Sequence, residues 1–289
     1  MRDVETNRVV DARWLRNHLS DPTVVVVEVS RTPAAASEPS TIPGAHAVYW
    51  KDLLWHRSRR EFISPRALVE HLHAWGVRAD TTVVFAGDPT QFAAYAIWVA
   101  SAVGVGGDLR YLDGGVPAWL DNESPTVATT TPSVAPHPVS AQLPLGAPRL
   151  DELVVGRTEV LAAIDTSTTI LDLRSPEEFA GLRVSPATEP IDHGAERAGH
   201  IPGALSLPVQ DLLDSRGLLL PVDEIRGRVK AAGVDLSRRT IAYCRLSHRA
   251  ALGWLILTDL LGGRDVRVYD GSWTEWGSLV GAPISEPAR

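Results

Sequence analysis

Apolar runs of strand length alternate with helical patterns along this chain, most legibly in its second half. There, residues 169–173, 204–207, 240–243 and 266–269 predict strands, and residues 177–180, 209–213, 222–232 and 248–261 predict helices. Strands separated by helices need right-handed crossovers. The expected class is therefore α/β, a mostly parallel sheet with helices on both faces. Such sheets bind ligands at the carboxyl ends of their strands, in the loops that lead into helices. One longer apolar stretch, residues 89–107, carries no charge over 19 positions. It opens with Pro89 and closes on Gly104, Gly106 and Gly107, which predicts a buried helix ending in glycines rather than a membrane span.

The pattern occurs twice. Ile42-Pro43-Gly44-Ala45 recurs 159 residues later as Ile201-Pro202-Gly203-Ala204. Tyr111-Leu112-Asp113-Gly114-Gly115, with Trp119, recurs 157 residues later as Val268-Tyr269-Asp270-Gly271-Ser272, with Trp276. The β-branched run from Val24 to Val29 matches the run at Ile170, where the offset is only 144. The second copy thus carries an insertion of about 15 residues, placed at 181–197. Residues 124–148 lie between the copies, hold no charge and contain six prolines, so they read as a semi-stiff connector or a strap. The expected domains are 1–123, a linker 124–148, and 149–289.

Composition narrows the chemistry. The 28 Lys and Arg against 35 Asp and Glu leave a net charge of −7 over 289 residues, which argues against a nucleic-acid or anionic-membrane partner. Cys244 is the only cysteine, so no intramolecular disulfide, multi-thiolate zinc site or iron–sulfur cluster can form. Residues 1–8 contain acids and no apolar core, unlike a secretory signal, and a cytoplasmic, reduced protein is expected.

Cys244 ends the strand run 240–243, and Arg245-Leu246-Ser247-His248-Arg249 leads into an apolar helix. A lone cysteine is usually a small buried hydrophobe. At a strand end before a helix N-terminus, however, a thiol faces N–H donors and the positive end of the helix dipole, both of which favour an anion. Arg245 and Arg249 add permanent positive charge, and His248 can add a third. Cysteine phosphatases place five residues between Cys and Arg. Here there are four, a bowl sized for sulfur on sulfur rather than a phosphoryl group.

Together, the Cys244–Arg249 segment, the two Ile-Pro-Gly-Ala turns with Gly199-His200 before the second, Asp172-Leu173-Arg174 with Glu178-Phe179, and Tyr269-Asp270-Gly271-Ser272-Trp273 resemble the tandem-domain rhodaneses, the thiosulfate sulfurtransferases. The resemblance spans about residues 8–122 and 149–284. It implies two tandem rhodanese-like domains, the N-terminal one inactive and the C-terminal one catalytic, with the active site in the cleft between them. The place of Cys244 falls in the first copy at Gly87, beside Asp88, and neither can carry sulfur.

The implied reaction is double displacement. Cys244 takes the outer sulfur of thiosulfate as a persulfide and passes it to cyanide, a thiol or a sulfur-acceptor protein, with no metal or organic cofactor. Arg245, Ser247, His248 and Arg249 are the expected substrate-binding residues, with Arg183 and Arg197 from the insertion. The mercaptopyruvate branch has glycine after its cysteine, so Arg245 points to thiosulfate. Two departures from the family's loop stand out. Ser247 replaces a glycine, and either narrows the bowl or donates its hydroxyl to the persulfide; His248 is also unusual. Asp172, Arg174, Glu178 and His200 read as a structural polar network, and Trp273 and Trp276 as core or cleft wall. Three other activities stay open: a 3-mercaptopyruvate sulfurtransferase, a persulfide carrier loaded by a partner protein, and a phosphatase of the same fold, which the loop length disfavours.

Overall fold

The computed structural model describes residues 8–121 and 143–285. Two compact units meet in sequence at Arg149 and Leu150, with 215–218 grouped in the first. In the first, strands β1 (Val9–Val10), β2 (Val24–Ser30), β3 (His46–Tyr49), β4 (Thr82–Asp88) and β5 (Asp108–Leu112) lie in the order β1-β5-β4-β2-β3. In the second, β6 (Val154–Val155), β7 (Thr169–Asp172), β8 (Leu205–Ser206), β9 (Thr240–Tyr243) and β10 (Val266–Tyr269) lie in the order β6-β10-β9-β7-β8. All these ladders are parallel.

The ladders carry the repeat in their registers. Phe85 opposes Tyr111 as Ala242 opposes Val268, and both members shift by 157. Val27 opposes His46 as Leu171 opposes Leu205, where the shifts are 144 and 159. The difference between those shifts places the insertion between β7 and β8.

The central strands are buried on both faces, as a parallel sheet under helices requires: Val83 to Ala86 in β4 and the whole of β9 are inaccessible. The uncharged stretch forms the helix Gln91–Ala102, apolar all round and buried. It ends as expected at glycine, with Gly104 at φ 83°; the Val105 N–H donates to the Ala100 carbonyl and Gly104 N–H to Ser101, closing the last turn. The connector's residues 124–142 lie outside the described residues. Its remainder and the residue that follows strap that glycine turn, since the Gly106 N–H donates to Pro144, Gly146 to Gly104 and Arg149 to Ala102. A side chain at Gly104 would lie 2.7 Å from the Gly146 carbonyl, so glycine permits the approach.

In the second unit β9 and β10 match the predicted spans, and helix Val222–Ala231 ends one residue early. Two elements differ. Residues Val209–Leu212 form a tight 3₁₀ turn after Pro208, too short for an α-helix. The long helix is α only over His248–Leu255 and widens to π-type turns over Ile256–Leu260, where the Thr258 hydroxyl bonds back to the Trp254 carbonyl. Trp273 and Trp276 belong to the core, packed with Ile170, Ile241, Tyr243 and Tyr269. Truncating either would remove about 3–5 kcal/mol.

Candidate active site

Cys244 follows the last residue of β9 and is buried. Its backbone is fixed on both sides. The Cys244 N–H donates to Ser272 Oγ at 3.2 Å, and Ser272 in turn donates to the Tyr269 carbonyl at 2.8 Å. The Cys244 carbonyl accepts from the Trp273 N–H, and the Arg245 carbonyl from the Thr274 N–H and hydroxyl. The helix Ser272–Trp276 therefore holds the carbonyl side of the loop.

The N–H side is open. Among the described residues no acceptor faces the N–H groups of Arg245, Leu246 and Ser247, or of Arg249 in the first helical turn. Ser247 caps the helix in the left-handed conformation, φ 70°. The missing glycine of the family loop is explained here: the conformation is one that glycine adopts without strain. The Ser247 hydroxyl donates to the Asp270 carbonyl at 2.5 Å and lies 3.1 Å from Asp270 Oδ1. Its one proton is thus engaged by Asp270. The Ser247 backbone N–H is among the open ones.

The charges around the loop divide between buried and exposed. Arg249 is buried and pairs bidentately with Glu178, at 2.7 and 2.8 Å. Burial would push the Glu178 carboxyl up, but the Arg249 hydrogen bonds and charge hold it below its ordinary value. Burial likewise opposes the Arg249 charge; the Glu178 hydrogen bond and charge outweigh it and raise the arginine further. A second buried pair lies alongside. Arg174 binds Asp172 through Nε and Nη2, donates to the Gly199 carbonyl and lies 4.2 Å from the Trp273 ring. Glu178 also closes a capping box with Ser175. His200 stacks on Phe179 at 3.8 Å and bonds to its carbonyl. The network read as structural is of that kind.

The remaining arginines go elsewhere. Arg197 donates to the carbonyls of Gly277, Trp276, Leu279 and Ala282, tying the inserted segment to the C-terminal turn. The Arg183 Nε donates to the Ser185 carbonyl within the insertion. Neither bonds to residues 244–249, so the loop cysteine is not joined to them by any hydrogen bond among the described residues. Arg245 instead reaches the insertion at His193. His248 is half-buried at the first position of the helix. His193, Asp270 and Ser272 hydrogen-bond to the loop and were not among the expected site residues; only Asp270 and Ser272 left a signal, as members of the repeated turn motif.

In the first unit the loop has the same length, since Gln91 opens the helix four residues after Gly87, as His248 does after Cys244. There the bowl is closed. The Phe92 N–H donates to the Pro89 carbonyl and Ala93 to Thr90, and a Cβ at Gly87 would fall 2.8 Å from Ala93 N, the Pro89 carbonyl and the Thr90 carbonyl.

Two parallel α/β units, in one of which the central strand leads into a buried cysteine followed by a loop of open backbone N–H groups, define a class of two-domain protein with one cysteine-bearing loop. The chain belongs to the rhodanese-like domain family, whose domain matches residues 11–122 and again 157–279. It is 34% identical over 290 residues to a Haloferax volcanii protein provisionally named thiosulfate sulfurtransferase, covering 98% of each chain. A Saccharopolyspora erythraea protein of the same provisional name is 37% identical, with 96% of each chain covered. The Thermus thermophilus sulfur carrier protein TtuD is 34% identical, again over 96% of each. Among solved structures, an anaerobic ergothioneine biosynthesis enzyme from Chlorobium limicola, in complex with trimethyl histidine, matches with TM-score 0.77 at 23% identity, over 100% of this chain and 72% of that one. YnjE matches with TM-score 0.76 at 23% identity, over 98% and 69%. At that identity the likeness is one of fold.

Among the described residues no helix is long and apolar enough to cross a membrane, and no group of three His, Cys, Asp or Glu is placed to hold a metal ion.

Proposed function

We propose that this protein is a thiosulfate sulfurtransferase acting through a persulfide on Cys244. The thiolate attacks the outer sulfur of thiosulfate, the sulfur–sulfur bond breaks, and sulfite leaves with its electron pair. The terminal persulfide anion is then attacked by a thiophilic acceptor, cyanide in an assay or a thiol or acceptor protein in a cytoplasmic setting, and the thiolate returns. The open N–H groups of Arg245, Leu246, Ser247 and Arg249 carry this reading, because they supply donors where the negative terminal sulfur would sit. Arg249, clamped by Glu178, is the buried cation of the loop, and Arg245 and His248 are the donor-side groups. Arg183 and Arg197 would assist from the insertion only if they left their carbonyl partners.

The test is intact mass after incubation with thiosulfate. A gain of one sulfur atom, lost on adding cyanide and absent from Cys244→Ser, supports the reading; no gain overturns it. A second reading, a carrier loaded by a partner protein, draws on the likeness to the T. thermophilus sulfur carrier. It predicts that Cys244 is loaded by a protein persulfide and not by thiosulfate.

A further inference from the structure

A hairpin in the first unit is held together from beneath and carries its charge on top. Trp55 and Phe62 form an antiparallel bridge, the His56 N–H donates to the Glu61 carbonyl at 2.9 Å, and the Ile63 N–H donates to the Leu54 carbonyl at 2.9 Å. Its base is anchored on the buried helix Gln91–Ala102. Trp55 Nε1 donates to the Tyr95 hydroxyl at 2.8 Å, and Phe62 stands edge-on to Trp98. The tip, residues 56–61, is exposed throughout. Arg60 lies over the Trp55 ring, 4.0 Å from its centroid, and Lys51 of the helix Trp50–Leu54 lies over the same ring at 5.3 Å.

The charge is local. Over residues 51–61 the four bases Lys51, Arg57, Arg59 and Arg60 stand against the two acids Asp52 and Glu61, a net +2 in a chain of net −7. The hairpin does not need these cations in order to form. At the corresponding place in the second copy, after β8, Leu213 and Leu219 make the same antiparallel bridge, and the residues between them, Asp214-Ser215-Arg216-Gly217-Leu218, carry one acid and one base. The ion pair of Arg59 with Glu61 is 3.3 Å long, with side chains 61% and 58% exposed, and such a pair is readily exchanged for another carboxylate. The hairpin also stands at the carboxyl edge of its sheet, because Tyr49 at the end of β3 is level with Ser30 and Asp88 in the ladders. That edge is where parallel sheets under helices bind their ligands.

We propose that this hairpin is a docking surface for an acidic segment of a partner protein, one with several carboxylates along the chain. The cations are spread over a helix and a hairpin tip, which suits carboxylates strung on a chain better than a single small anion. Guanidinium groups pair with carboxylates through two parallel hydrogen bonds, and Arg60, laid on an indole, loses less side-chain freedom in doing so. A nucleic acid fits less well. The Trp55 ring that could stack on a base is covered by Arg60 and Lys51, and the net negative chain repels polyphosphate. The docking surface is independent of the chemistry at Cys244.

The probe is a fluorescein-labelled octaglutamate peptide, titrated with the full chain and read by fluorescence anisotropy. Wild type is expected to bind it saturably at about 20 mM salt, and at least about fivefold more weakly at about 200 mM. Arg57→Ser/Arg59→Ser/Arg60→Ser is expected to weaken binding at least about tenfold, and Lys51→Gln/Arg57→Ser, which leaves Arg60 on Trp55, about three- to tenfold. No binding to wild type, or binding that neither variant weakens, overturns the proposal. An octauridylate bound as tightly as the peptide, and lost with the same substitutions, would assign the surface to RNA and overturn it as well. Should the triple variant not fold, the double variant decides alone.

Discussion

The Ser247 hydroxyl bonds to Asp270, 23 positions away, while its backbone stands at φ 70°. The bond gives a non-glycine residue a reason to hold a left-handed conformation that costs roughly 1–2 kcal/mol. Hydrogen bond and strain are of similar size. Ser247→Gly is therefore expected to change stability by less than about 1 kcal/mol and to keep sulfur loading of Cys244. Ser247→Val, β-branched and without the hydroxyl, is expected to lower stability by more than 2 kcal/mol, on the order set by strain plus the lost bond. Thermal denaturation of the two variants checks this; equal losses would refute it.

Glu178 and Arg249 form a pair with side-chain exposures of 0% and 8%. Removing one partner leaves a buried charge, so Glu178→Gln is expected to destabilise by about 3–5 kcal/mol in urea unfolding. The pH dependence has a definite sign. The folded Glu178 carboxyl lies below its ordinary value of 4.5, so its stabilisation is present above that value and is lost as pH falls through the folded value. Wild type should consequently lose its advantage over Glu178→Gln below about pH 4.5. An advantage that grew on acidification would contradict the assignment.

Gly87 occupies the place of Cys244 in the first unit, but a Cβ there meets three backbone atoms at 2.8 Å. Gly87→Cys is expected to destabilise the first unit by about 1–3 kcal/mol or more through overpacking. It is also expected to leave one thiosulfate-derived sulfur per chain in intact mass. Two sulfurs would show that the closed loop can open.

His46, on edge strand β3, stacks on Trp75 at 5.3 Å. Burial lowers its tendency to protonate below the ordinary 6.5. A histidine held neutral contributes stability that is present above 6.5 and is lost as pH falls toward the folded value. The urea midpoint of wild type should fall between pH 7.5 and 5.5 by more than that of His46→Phe. Parallel falls would exclude His46 as the source.

Much of the fold was legible because a parallel sheet buried on both faces writes itself as apolar runs, as in Thr240–Tyr243, and because the repeat supplied each run twice. The edge strands β1 and β6 were not, since Val9–Val10 and Val154–Val155 stand as isolated apolar pairs without a turn motif to mark them. The widened end of the helix after Leu255 was hidden as well: Ile256–Leu260 reads like any helical stretch, and the wider turns show only in the backbone.

Sequence alone determined the two-unit α/β organisation, the single thiol and its position between a strand and a helix, because order along the chain and residue type suffice for those. Tertiary structure decided what each arginine does. A guanidinium reaches several ångströms in any direction, so sequence neighbours do not choose its partner: Arg249 meets Glu178 from 71 positions away and Arg245 meets His193 from 52. The folded chain also decided which of two equal-length loops stays open, through whether its N–H groups find carbonyls of their own.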